Sequence, residues 1–441
     1  MTILKANNFT TYWESLQGGS GVTSAADRAH LDSDKASIDR AVLAIVEAVR
    51  SGGDRALRDL AARFDRSSPA ELEVSRVAAR RALDELEETD GSLVAALKLA
   101  ADHIRNFAEL QKKQYTDFEV ELEPGLFTGQ RCIPVERAAV YVPAGRFPLI
   151  STVLMGVIPA KAAGVDKVIL LTPPQEDGLP DRRILAAAAL AGADQVFAVG
   201  GAQAVAAAAY GTESIPRCDV IVGPGNRYVA AAKRLLFGQV GIDFVAGPTD
   251  VLIIADEWAS ADLIAADMLA QAEHDPDARA RVLLPNEALA QAVQADLERR
   301  LRQLGTADTA RASLEAGGLI IIYETLDEAV QIANTIAPEH LELHLAAPEA
   351  VASRLRNYGS LFIGQLAAEV LGDYSAGINH TLPTSGTARF TGGLSVRHFI
   401  KIVTSLRCTS APGFEASRQA AAIIATAEGL DAHRQSAESR G

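Results

Sequence analysis

The sequence predicts an α/β protein with two parallel-sheet lobes and small helical segments at the chain ends. Two observations predict it. From about residue 138, short apolar runs closed by Pro or Gly alternate with helix-length segments. The alternation is interrupted once, at Gly247-Pro248, and then resumes. Strands and helices that alternate in this way build right-handed βαβ units round a parallel sheet.

The elements follow in order. The first third reads as helical: Ile38 to Phe64 puts Val42, Ile45, Val46 and Val49 at helical spacing, with a break at Gly52-Gly53, and Ala78 to Gln114 continues alike. AAVYVPAG opens the first alternating set as a strand. STVLMGVIPAKAAGV is a helix that Pro159 is expected to kink. KVILLTPP, DQVFAVGG and CDVIVGPG are strands, separated by the helices RRILAAAALAGA and AQAVAAAAYG and followed by the helix NRYVAAAKRLLFG. The second set opens with the strand DVLIIAD and a helix, SADLIAADMLAQAEH, capped by Ser260. ARVLLP, GLIIIYE, HLELHL and SLFIG are its further strands, and the helices EALAQAVQADLERRLRQL, DEAVQIANTI and PEAVASRLRNYG lie between them. The tail from about 411 reads as helical. Clefts between two such lobes are common ligand sites.

Composition narrows the function. The 441 residues carry 56 acids against 42 bases, a formal charge of −14, which argues against nucleic-acid binding. The three cysteines, Cys132, Cys218 and Cys408, are far apart and form no CxxC pair, which points to a reducing compartment. The start, MTILKANNFT, has no basic region followed by an apolar run, and the most apolar stretch, Ile184 to Tyr210, is broken by Gly, Asp and Gln. A cytoplasmic protein with no membrane partner is expected.

Several residues carry possible chemistry. Glycines end strands in AVGGAQA and IVGPGN, where a nucleotide phosphate can approach the backbone at a helix N-terminus; an ordinary tight turn explains them equally well. No GxGxxG is present, so any NAD site is non-standard. Gln271 and His274 sit three apart at a helix end and share a face, a spacing that suits one metal ion but is weak by itself. Glu339-His340 offers two adjacent proton carriers. In the following strand, Leu341, Leu343 and Leu345 alternate with His340, Glu342 and His344, which makes His344 a neighbour on the polar face and not a catalyst. Asp373 and His380 bracket the polar LGDYSAGINHTLPTSG, whose glycines and proline predict a loop. Glu428 and His433 lie five apart in the tail, so an unbroken helix would not put them on one face.

GGAQAVAA, GPGN, AGPTD before VLIIAD, QAEH, APEHLEL, GDY with NHTLPT, and a terminal E-x-x-x-x-H occur in one order. In that order they resemble the histidinol dehydrogenase family over residues 35–435. The resemblance implies oxidation of an alcohol, through the aldehyde, to a carboxylate with two NAD⁺ and one zinc per subunit. Matched motif by motif, it implies Gln271, His274, Asp373 and His433 as zinc ligands and Glu339 and His340 as the proton-transfer pair. Thr249, His380 and Glu428 match substrate contacts, together with the zinc ligands and His340. Tyr141, Gln203 and Asn226 match NAD positions. It further implies a homodimer of two incomplete Rossmann-like domains, in which the tail crosses to the partner and His433 completes the other subunit's site. The implied boundaries are an N-terminal segment 1–26, a metal-binding and catalytic domain of 27–139 plus 249–395, an NAD domain 140–248, and a tail 396–441.

Three features qualify the substrate. Thr249 stands where the family usually has Ser, and Ala376 where the loop commonly has a Ser-Gly before Asn-His. Arg146, in YVPAGRFPLIS, suits an anionic sulfonate, and related dehydrogenases that oxidise 2,3-dihydroxypropane-1-sulfonate share this stretch. APEHLEL and Ser151 favour histidinol. A zinc hydrolase would leave the NAD positions idle, and a ligand-binding sensor would leave the metal and base residues idle.

Overall fold

The computed structural model describes residues 1–15, 25–65, 67–144, 148–409 and 411–440, so Arg146 lies outside the described residues. Elements are numbered in chain order. The first lobe is a six-stranded parallel sheet ordered β1 (Thr2–Lys5), β12 (Leu319–Ile322), β11 (Arg279–Leu284), β10 (Asp250–Ala255), β13 (His340–His344), β14 (Ser360–Ile363). Its four inner strands are buried on both faces, and of these β10, β11 and β12 read as apolar runs. Val251, Ile253, Ala280 and Val282 pack under α9 (Ala261–Ala272), α10 (Glu287–Leu301) and α11 (Ala307–Gly317). Leu252, Ile254, Leu283 and Ile321 pack under α1 (Phe9–Ser15), α12 (Leu326–Ile336) and α13 (Pro348–Ala352). The Ser260 hydroxyl caps α9 by accepting from Leu263 N, as expected.

The second sheet is ordered β2 (Glu73–Val74), β7 (Gln195–Ala198), β6 (Lys167–Thr172), β5 (Arg137–Tyr141), β8 (Val220–Val222), β9 (Gly241–Ile242), parallel except for β2. One face carries α3 (Arg76–Thr89), α4 (Gly91–Lys112), α5 (Ile150–Ala163) and α6 (Arg182–Ala191). The other carries α2 (Ala25–Phe64), α7 (Gly201–Tyr210) and α8 (Arg227–Leu236).

Three expectations change. Residues 27–139, assigned to the lobe of 249–395, instead supply β2 and the helices α2, α3 and α4 to the sheet of the second lobe. Their apolar stripes need a sheet face, and sequence order does not say which. Residues 118–134 are a hairpin and not helix: β3 (Phe118–Glu123) and β4 (Leu126–Pro134) pair antiparallel, with β15 (Ile400–Cys408) alongside β4. Pro159 lies inside α5, which runs on to Ala163. Asp373 lies on a short helix, α14 (Glu369–Tyr374), and not in a loop.

The tail ends in α15 (Glu415–Ala427) and α16 (Asp431–Glu438). No helix among the described residues is long and apolar enough to cross a membrane.

Candidate active site

The first lobe gathers its polar side chains at the edge where its strands begin. Thr249 immediately precedes β10, Glu339 immediately precedes β13, and His340 opens β13. The alternation of β13 aims Leu341 and Leu343 at the α12 face, so His340, Glu342 and His344 point toward α9. That polar face is closed from water: His340 is 3% exposed and Glu342 and His344 no more than 1%. Gln271, in the last turn of α9, is fully buried against it. α14 contributes Glu369 and Asp373, four residues apart on one face.

His340 sits among three carboxylates. Its Nδ1 is 3.4 Å from Glu369 Oε1 and 4.0 Å from Glu339 Oε2, and its Nε2 is 3.7 Å from Asp373 Oδ1. Burial opposes a charge on this ring, but Glu369, Glu339 and Asp373 together raise its pKa well above the usual histidine value. Burial pushes the Glu339 carboxyl up to about 7, with His340 and a Thr249 hydrogen bond offsetting part of the rise. Burial raises Glu369 well above the ordinary carboxylate range. Burial would also raise Asp373, but hydrogen bonding and charge from His340 hold it below its usual value. His274 Nδ1 or Nε2, Glu369 and Asp373 place ligating atoms within 4.8 Å of one another.

Gln271 joins a hydrogen-bond chain in either orientation of its amide. In one, Thr249 Oγ1 donates its single proton to Glu339 Oε2 at 2.5 Å. Gln271 Nε2 then donates to Thr249 Oγ1 at 2.7 Å. That turns the amide carbonyl toward the Glu369 carboxylate, an arrangement that needs a proton or a cation between the oxygens. The reversed amide donates to Glu369 at 2.7 Å and accepts from Thr249 Oγ1 at 2.7 Å and Asp250 N at 3.3 Å, with a protonated Glu339 carboxyl donating to Thr249 in turn. The donor set of an amide oxygen, an imidazole and carboxylates fits a divalent ion such as zinc.

His380 also belongs to this region. Its Nδ1 faces the Asp373 carbonyl at 2.9 Å and its Nε2 faces Thr152 Oγ1, on α5 of the other lobe, at 3.1 Å. Burial lowers its pKa. Glu428 and His433, by contrast, are exposed on the tail, and His433 is not among the side chains gathered at Asp373 within the protomer.

In the second lobe, Tyr141, Gln203 and Asn226 line one cavity of about 550 Å³. Tyr141 ends β5, and Gln203 and Asn226 follow β7 and β8, beside the point where the strand order reverses at β5. The Tyr141 hydroxyl accepts from Gly201 N at 3.1 Å, and Asn226 Oδ1 caps α8 through Tyr228 N and Val229 N. Gly223 holds φ at 110°, and a Cβ there would lie 2.2 Å from the Tyr141 carbonyl oxygen, so only glycine fits that turn.

Sequence reasoning missed three residues. Glu369 could have been found from its four-residue spacing to Asp373 once a helix was drawn there. Asp250 accepts from Glu339 N at 3.2 Å and gives its own N–H to Glu339 Oε2 at 3.1 Å; nothing in its strand marks that role. Asp65 lines the second cavity and reaches Gln203 Nε2 at 3.4 Å across 138 positions. His344, read as a plain neighbour on the polar face, is buried with Asp267 and Glu342.

Comparison with known proteins follows this geometry. Residues 28–441 match the family described as histidinol dehydrogenase. The chain is 45% identical over 428 residues to the histidinol dehydrogenase of Methylococcus capsulatus, covering 96% of this chain and 97% of that one. It is 46% identical to that of Thermus thermophilus over 92% of this chain and 95% of the other. The crystal structure of histidinol dehydrogenase from Elizabethkingia anophelis superimposes with a TM-score of 0.86 at 35% identity, covering 91% of each chain.

Proposed function

The chain belongs to the histidinol dehydrogenase family, and from that premise we propose that it oxidises L-histidinol through L-histidinal to L-histidine, closing histidine biosynthesis, with two NAD⁺ and one Zn²⁺ per subunit. The observation that carries the reading is the buried Glu339–His340 pair beside Gln271, His274 and Asp373, at the first lobe's edge.

His340, in its neutral form, is the base for the substrate hydroxyl proton; the carboxylates that raise its pKa also make that neutral ring a stronger proton acceptor. Glu369, Glu339 and Asp373 surround its ring and stabilise the imidazolium once the proton has arrived. Glu339 serves the second oxidation by drawing a proton from the water that attacks the aldehyde; a carboxyl poised near 7 suits that task. Thr249 and Asp250 N fix its Oε2. Gln271, His274 and Asp373 would hold the zinc, with His433 as the fourth ligand. The zinc, when bound, supplies positioning and polarisation of the substrate's polar groups, and NAD⁺ supplies the hydride acceptor. Tyr141, Gln203 and Asn226 would line the NAD site, and Thr249, His380 and Glu428 would contact substrate.

A second copy of the chain completes the site in this reading. Glu428 and His433 project on an exposed tail, and the hairpin sheet beside it leaves Phe118, Leu122, Ile402 and Leu406 exposed. A carboxylate-rich pocket favours a substrate bearing an ammonium group over an anionic sulfonate.

Purified protein given Zn²⁺, NAD⁺ and L-histidinol should form two NADH per histidinol consumed, followed by absorbance. Turnover of 2,3-dihydroxypropane-1-sulfonate with none of histidinol would replace the substrate assignment.

A further inference from the structure

A cavity of about 660 Å³ lies on the far face of the first sheet, away from α9, and the reading above leaves it unused. Arg279 and Arg281 are two residues apart on β11, so both point to the α1 and α12 face, opposite Ala280 and Val282. Arg389 joins them from the segment after His380, and the three guanidiniums line the one concavity. Asp250 is the carboxylate in that lining, 3.1 Å from buried Arg281. Arg279 and Arg389 are exposed and make no ion pair among the described residues; Arg389 donates to the Thr335 carbonyl at 2.6 Å. Three cations therefore face one anion in a chain whose net charge is −14. Burial pulls Arg281 below its ordinary value; Asp250 opposes this and the nearby Arg279 charge adds to it.

An anion between these side chains would relieve that repulsion, and guanidinium forks match phosphate oxygens. Two uncompensated charges suit a phosphate dianion better than a single carboxylate. Tyr12, Trp13 and Ile336 supply an apolar wall for an organic portion, and the volume falls within the range of roughly 300–1,000 Å³ of small-molecule sites. We propose that this cavity binds a phosphate-bearing small molecule through Arg279, Arg281 and Arg389. The proposal does not depend on the dehydrogenase reading.

The chain supplies its own reporter. It has two tryptophans, and Trp258 is 81% exposed and away from this lining. Trp13 stacks beneath Arg281, whose guanidinium carbon is 5.4 Å from the ring centre. In full-length protein carrying Trp258→Phe, inorganic phosphate and phenyl phosphate are titrated at constant ionic strength while Trp13 emission is followed. A saturable change is expected for both, tighter for phenyl phosphate. Adding Arg279→Gln and Arg389→Gln should weaken it about tenfold or more, as expected for losing charge-assisted hydrogen bonds. Both arginines are exposed, so an unchanged melting temperature will confirm that the variant is folded. A response no different from chloride, or an undiminished response in the double variant, would overturn the site. Phenyl phosphate binding no tighter than phosphate would overturn the small-molecule assignment.

Discussion

The two lobes are built alike but carry different candidate sites. Each is a six-stranded, mainly parallel sheet covered by helices on both faces. The second lobe opens its cavity where β5, β7 and β8 end, between Phe64, Tyr141, Gln203 and Tyr228, with Gly201 and the capped start of α8 in its wall and the Gly223 turn packed against Tyr141. The first lobe gathers Thr249, Glu339 and His340 where its strands begin, and shapes that site from side chains. Each lobe braces its site with a buried ion pair. In the second, Lys233 pairs with Asp243 and donates to the Gly223 carbonyl at 2.9 Å, while Asp243 accepts from Gly223 N at 2.8 Å. In the first, Arg281 holds Asp250, which in turn holds Glu339. Helix starts and glycine turns present N–H groups, which suit phosphates. Proton transfer needs titratable side chains in a dry setting, which a strand-start edge closed by α9 and α14 provides.

The largest expected effect separates chemistry from architecture in the first lobe. His340→Ala should lower turnover about 10²–10⁴-fold while leaving bound zinc unchanged by elemental analysis. Loss of the metal with the activity would show that the ring is a ligand and not a base. Next come the two braces. Arg281→Met and Lys233→Met each strand a buried carboxylate and should cost about 3–5 kcal/mol in denaturant unfolding. Their kinetic signatures should differ: residual Arg281→Met protein loses kcat because Glu339 shifts, and residual Lys233→Met protein gains KM for NAD⁺ because the Gly223 turn loosens. Identical signatures would erase the contrast between the lobes.

Gly223→Ala should follow, costing about 1–3 kcal/mol from backbone strain and weakening NAD⁺ binding by calorimetry. Unaltered binding would show that the backbone there shapes nothing. The smallest effect is a pH dependence at Asp65, raised to about 6 by burial. The folded state then binds more protons than the unfolded between the ordinary aspartate value and about 6. Stability contributed by the protonated form is therefore lost as pH rises through that window. Asp65→Asn should gain on the parent over the same window, reaching about 1 kcal/mol above it. Thermal melts at pH 4 and pH 7 give the comparison, and a pH-independent difference would contradict it.

Legibility in the sequence tracked locality. Strand runs and helix lengths were readable because burial on both faces writes itself as short apolar runs, and Ser260 marked a helix start by its own hydroxyl. Residues 27–139 were placed on the wrong sheet because an amphipathic stripe states that it needs a partner, not which. Asp373 looked like part of a loop because Gly372 and Gly377 flank it, yet packing under Phe362 and Ile378 leaves room for nothing larger at Gly372 in α14. Motif order named Gln271, His274 and Asp373, which the fold brings to one edge of the first lobe; Glu369 and Asp250 stayed hidden because their place beside these residues appears only when distant segments meet.

β13 carries a final consequence. Its five residues send leucines to one face and His340, Glu342 and His344 to the other, between β10 and β14. Slipping the strand by one residue would exchange the faces, dropping imidazoles into the oily layer and leucines into the candidate site. A misthreaded copy of this chain would thus be unstable and inert together, so assaying turnover doubles as a proofreading of how the strand was laid down.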